Sequence, residues 1–237
     1  MKCTLCVCLA ATICVGAALH SAVRHSVEQA QTRAMQKGIR VEMASATNAQ
    51  AWPQADDNDA WVVAVTFNGE LYLGAESMTP NQLKQWMIEH PRRRDQKLYI
   101  KADARASYAN VEKALDAASN AEFATPVLLV NQWDATVKPG IVVPPKGLEV
   151  VIDGAQESAE TIVVEVPSAK EPATLTINHE PVSWNSLQDR LRESVAGRNE
   201  RTVVVAADGQ ASFAQVARVI DACGAVKARA VLRVATL

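Results

Sequence analysis

From residue 61 onward the chain switches between two hydrophobic periods. Short β-rich runs of apolar residues alternate with stretches in which apolar side chains recur every three or four positions. Residues 61–67 predict a strand, and Asn68–Gly69 is a strong hairpin signal. Leu71, Tyr72 and Leu73 return as a second strand. Thr79 followed by Pro80 fits a helix N-cap with proline at the first helical position, and Leu83, Trp86 and Met87 then share one face. Pro91 ends that helix. Residues 97–102 predict a strand and residues 108–121 a helix with Val111, Leu115 and Ala118 inward. A strand over 126–130 completes the order β-β-α-β-α-β.

The order then returns. Strands are expected over 161–166, 174–177, 202–207 and 230–234, and helices over 184–195 and 213–225. Phe213, Val216, Ile220 and Cys223 form the inward stripe of the last helix. The correspondence extends to single residues. Asp103, Tyr108 and Asp116 answer Asp208, Phe213 and Asp221 at a constant offset of 105. Leu71, Met78 and Leu83 answer Leu175, Val182 and Leu187 at an offset of 104, and Lys37–Gly38–Ile39 resembles Lys146–Gly147–Leu148. A repeat of roughly a hundred residues has the size of a small domain, not of a solenoid unit.

The expected fold class is α/β: two α+β two-layer sandwiches in tandem, each a sheet with two helices on one face. The expected organisation is an N-terminal segment 1–38, a polar tether 39–60, a first domain 61–130, a linker 131–160 and a second domain 161–237. Pro139–Gly140 and Pro144–Pro145 favour an extended, stiff linker.

Residues 3–19 form an uncharged apolar run. Its 17 residues are the short end of a membrane span and the long end of a signal-peptide core. Its only cleavage-like spacing, around Gly16-Ala17-Ala18, lies inside the run, which favours an uncleaved anchor over a removed signal peptide. Both readings send the rest of the chain out of the cytoplasm. Residues 20–36 lack Pro and Gly and are expected to continue as a helix that Gly38 stops. Four of the five cysteines lie in the apolar run, so the remaining Cys223 has no intramolecular disulfide partner in the folded part.

The net charge of −2 and the absence of a basic stripe exclude a nucleic-acid footprint. The ten glycines never form G-x-G, and no G-x-S-x-G is present. The histidines His20, His25, His90 and His179 do not pair at metal-ligand spacing. No cofactor and no enzymatic activity are expected. Asp103 and Asp208 each end a strand at the C-terminal edge of a sheet, where ligands often bind. The simpler role for each is to accept loop N–H groups or cap the next helix. With Tyr108, Asp116, Phe213 and Asp221 they are the candidate partner-contact or structural loop positions.

These residues, in this order and twice over, resemble the ExbD/TolR biopolymer-transport family. The resemblance is carried by residues 62–73, Leu98-Tyr-Ile-Lys-Ala-Asp103, Ser107–Tyr108 and Leu115–Asp116–Ala117. In the second copy it is carried by residues 202–208, Ser212–Phe213 and Ile220–Asp221–Ala222. It implies a single-pass inner-membrane protein whose C-terminal domains lie in the periplasm. The implied partners are an ExbB/TolQ-like membrane protein and a TonB/Tol-type protein or peptidoglycan. Family members usually carry one domain and dimerise, so the two copies are expected to make an internal pseudo-dimer or a homo-oligomer. The family's energised step is linked to an intramembrane aspartate, whereas residues 3–19 contain neither Asp nor Glu. An accessory or subunit role without proton conduction is therefore expected, the alternative being a secreted tandem binding module.

Overall fold

A computed structural model describes residues 37–93, 95–132, 143–152, 161–168 and 174–234. Lys37–Gln132 and the described residues from Pro144 onward belong to one compact unit. The apolar run 3–19, the helix expected over 20–36 and the Pro139–Gly140 pair lie outside the described residues. Among the described residues no helix is long and apolar enough to cross a membrane.

The first half is built on the strands β1 (Gln50–Ala51), β2 (Trp61–Val65), β3 (Leu71–Leu73), β4 (Glu76–Met78), β5 (Leu98–Ala102), β6 (Val127–Val130) and β7 (Lys146–Glu149). They form one sheet in the order β1-β7-β6-β5-β2-β3-β4. The central β5 runs parallel to both β2 and β6. Alternation sorts its side chains: Leu98, Ile100 and Ala102 join the helix-side core, and Tyr99 joins Val62, Val127 and Leu129 on the other face. The helix α1 (Pro80–Glu89) opens on a capping box in which Thr79 and Gln82 satisfy each other's backbone N–H groups. The helix α2 (Tyr108–Asn120) buries Val111, Leu115 and Ala118.

The second half contains β8 (Val151–Ile152), β9 (Ile162–Val166), β10 (Leu175–Ile177), β11 (Glu180–Val182), β12 (Thr202–Ala207) and β13 (Arg229–Leu232), in the order β11-β10-β9-β12-β13-β8. Its helices are α3 (Leu187–Val195) and α4 (Phe213–Ala225). The helix α3 starts three residues later than its apolar pattern implies. Ser183 and Ser186 hold residues 183–186 in a turn, with the Ser186 N–H on the Ser183 hydroxyl at 3.2 Å. Both halves thus contain the expected β-β-α-β-α-β frame, each with an added edge strand, β4 or β11. These three-residue edges are largely exposed and lack the alternation that marks a strand in sequence.

The segments expected as tether and linker supply structure of their own. Met43 bridges to Asp103 and Ser45 to Asn131, while Gln50–Ala51 pairs with β7. Ala44, Ala46 and Ala55 are buried along this arm. The linker contributes β7, antiparallel to β6 in the first sheet, and then β8, parallel to β13 in the second. Backbone hydrogen bonding does not need apolar side chains, so a polar, small-residue stretch can still complete a sheet. Gly147 is required there, since a Cβ would fall 2.5 Å from Val127 and 3.1 Å from Trp52. One continuous hydrophobic core includes Leu115 and Tyr108 of the first half and Phe213 and Ile220 of the second.

Candidate functional site

Four of the six candidate residues, Asp103, Tyr108, Asp208 and Phe213, gather where each central strand passes into its following helix. In the first half the Asp103 backbone N–H donates to Val65, and its carbonyl accepts from Ala106. In the second half the Asp208 N–H donates to Val166, and its carbonyl accepts from Ala211. The Asp103 carboxylate accepts the Arg105 N–H at 3.0 Å, and the Asp208 carboxylate accepts the Gln210 N–H at 2.7 Å. Each is an Asx-type turn, and the bonds within the turn correspond at an offset of 105.

The two turns meet. The N–H groups of Tyr108 and Ala109, at the start of α2, donate to the carbonyls of Ala211 and Gly209. The N–H groups of Phe213 and Ala214, at the start of α4, donate to the carbonyls of Ala106 and Ala104. Four helix-end donors that would otherwise need caps are satisfied by the opposite half. Ser107 and Ser212 complete the junction as an antiparallel bridge. The approach is close: a Cβ on Gly209 would lie 3.2 Å from the Cβ of Ala109. The exchange obeys a pseudo-twofold relation, because every bond has its counterpart at the repeat offset.

Side chains break the symmetry. Asp103 is buried and is gripped by the Arg105 guanidinium, with Nε and Nη2 at 2.9 and 3.0 Å. Burial opposes its charge, but Arg105 and the backbone N–H groups of Arg105 and Glu42 outweigh it and hold the carboxyl below the usual carboxylate range. Asp208 is exposed, and Gln210 replaces the arginine. Tyr108 and Phe213 are fully buried in equivalent places. The Tyr108 hydroxyl has no hydrogen-bond partner among the described residues, and burial pushes its pKa up. Ser212 caps α4 through a full capping box, whereas the Ser107 side chain makes no cap bond.

The two mid-helix aspartates lie apart from the junction. Asp221 binds the arm, accepting the N–H groups of Thr47 at 3.1 Å and Asn48 at 2.7 Å and the Thr47 hydroxyl at 2.8 Å. Among the described residues the Asp116 carboxylate accepts only from Asn120, one turn along its own helix, at 3.1 Å.

Sequence reasoning did not single out Lys101. It is buried within β5, and its ammonium donates to the Lys37 carbonyl. The Lys37 ammonium in turn reaches the carbonyls of Asp57, Asn58 and Ala60. Burial lowers the Lys101 pKa to about 8. A usable signal was present: the repeat places Ala206 at the equivalent position, so a lysine inside an otherwise apolar strand is out of pattern. Cys223 is buried, and burial pushes its thiol up to about 12, which suits packing and not nucleophilic chemistry. Among the described residues no cluster of His, Cys, Asp and Glu could hold a metal ion.

The molecule is therefore of a definite class: an internally duplicated α/β protein in which Asp103, Tyr108, Asp208 and Phe213 lie where its two halves join and Asp221 holds the arm. Its sequence matches the model for the biopolymer transport protein ExbD/TolR twice, over residues 29–132 and 128–235, and the chain belongs to the ExbD/TolR family. The two matches agree with a tandem duplication, and the first includes the arm. Comparison with curated proteins and with solved structures returns no match.

Proposed function

We propose that this chain is a non-enzymatic envelope protein that serves as an accessory or subunit of a proton-motive-force-linked biopolymer transport complex. In this reading residues 3–19 anchor it in the inner membrane and both halves project into the periplasm. It pairs with an ExbB/TolQ-like membrane protein and reaches a TonB/Tol-type protein or peptidoglycan. The observation that carries the reading is the double family match, supported by the reciprocal backbone exchange at Ser107 and Ser212. The two halves do within one chain what two single-domain copies do in a dimer. Without a carboxylate in residues 3–19, the proton is carried by another subunit.

The test is recovery of the full-length, C-terminally tagged protein from native membranes in mild detergent, with identification of what co-elutes. Co-elution of an ExbB/TolQ-like membrane protein supports the transport role. Recovery in the soluble fraction with no membrane partner overturns it and leaves a secreted tandem binding module.

A further inference from the structure

A cleft of about 350 Å³ opens between the two halves, floored by Leu148, Ile220 and Ala230. Two sheet edges border it. The strand β1 pairs with β7 only at Lys146 and Gly147, so no described strand covers the outer edge of Leu148 and Glu149. The strand β8 pairs with β13 only at Val231 and Leu232. Arg229 and Ala230 are bound by β12 on one side and, among the described residues, have no strand on the other. Both uncovered stretches line the same cleft. Such an edge is a template for an added extended chain.

The charge at the cleft is one-sided. Lys227 and Arg229 are exposed at its rim, and neither makes an ion pair among the described residues. The one acid in the lining, Glu149, is already held by Lys97 at 2.5 Å. The repeat shows that this cationic character is particular to the second half. Lys227 follows α4 with a left-handed φ of 56°, and its counterpart Glu122 follows α2 with a φ of 60°. The backbone is the same and the charge is reversed.

We propose that this cleft docks an extended acidic segment of a partner protein. The segment adds backbone hydrogen bonds to the uncovered edges of β7 and β13 and sets carboxylates against Lys227 and Arg229. The proposal rests on the cleft alone and not on the transport reading, so failure of the membrane pull-down leaves it standing.

The probe is a fluorescein-labelled, end-capped pentapeptide of alternating glutamate and valine, titrated with the full chain and followed by anisotropy. Saturable binding is expected. It should weaken at least about tenfold in a Lys227→Glu, Arg229→Glu double variant and fall steeply as salt is raised. Both positions are exposed, and circular dichroism checks that the variant is folded. An alternating lysine–valine peptide should not bind. Equal binding of the acidic and basic peptides, unchanged binding by the double variant, or no saturation with the acidic peptide would each overturn the proposal. Saturable binding of inorganic phosphate or of an oligonucleotide in place of the peptide would overturn it in favour of a general anion site.

Discussion

The loop after β5 and the loop after β12 share the same Asx-type turn and reciprocal backbone exchange but have different surroundings. In the first half Asp103 is buried beneath the arm, clamped by Arg105, and Glu42 crosses over it, donating its N–H to the carboxylate and accepting the Ala104 N–H. In the second half Asp208 is exposed, and among the described residues its carboxylate keeps only the Asx-type bond. The back faces differ as well. Behind β5, Trp52, Ala55 and Ala60 pack on Tyr99 and Val62, and Lys101 is buried. Behind β12 the equivalent position is Ala206, half-buried. The comparison teaches that the duplication preserved the backbone solution at the junction, where each half depends on the other for its helix-end donors. The faces that do not meet were free to diverge.

The largest expected effect tests whether the halves are one cooperative unit. Phe213→Ala and Tyr108→Ala each empty a fully buried aromatic site in the shared core and should cost about 3–5 kcal/mol. Urea unfolding followed by both circular dichroism and tryptophan fluorescence should show a single shifted transition. Two separated transitions would mean that the junction does not couple the halves.

Next comes Lys101, for which the second half already holds the apolar alternative. Its pKa is about 8 in the folded protein against an ordinary 10.5. Below pH 8 both states carry the proton, and the folded state bears the whole cost of the buried charge. Stability then rises as pH passes from about 8 to 10.5, because the folded state releases its proton first. At about 1.4 kcal/mol per pKa unit the gain is about 3 kcal/mol. Lys101→Met should be more stable than the parent by that order at pH 7 and should lose the advantage by pH 10.5. A parallel pH dependence of the two proteins in denaturant titrations would refute the assignment.

The aspartate pair gives a smaller, asymmetric effect. Asp103→Ala removes a buried partner of Arg105 and of two backbone donors and should cost about 2 kcal/mol, whereas Asp208→Ala should cost about 1 or less. The Asp103 carboxyl is depressed, so its contribution is present above the ordinary carboxylate pKa near 3.9 and disappears as pH falls through the lower folded value. Thermal melts between neutral and acid pH should therefore show less acid destabilisation in Asp103→Ala than in the parent. Equal costs for the two aspartates would undo the contrast between the halves.

The smallest effect sharpens the aromatic pair. Tyr108→Phe installs the residue type of Phe213 and removes a buried hydroxyl that has no partner among the described residues. It should be neutral or stabilising by about 1 kcal/mol in equilibrium unfolding. A loss of stability would show that the hydroxyl is used.

Much of this architecture was legible in the chain. Thr79–Pro80, Asn68–Gly69 and the apolar stripe of α4 report local structure directly, because caps, turns and helix faces depend on residues only a few positions apart. The offset of 105 identified the six marked positions because duplication copies spacing. The strands β1, β7 and β8 were not legible, since residues 50–51 and 146–152 owe their conformation to sheets built by distant residues. Asp221 could be picked out by its place in the repeat, but its partners Thr47 and Asn48 are more than 170 positions away.

By itself, then, the sequence determined the repeat, the order of elements within each copy and the family, all of which follow from local periodicity and from copied spacing. Only the tertiary structure decided that Asp103 is buried while Asp208 is exposed, that a lysine is enclosed behind β5, and that each half supplies acceptors to the other's helix. Those outcomes depend on which surfaces exclude water when distant segments meet. No pattern within a single segment encodes that.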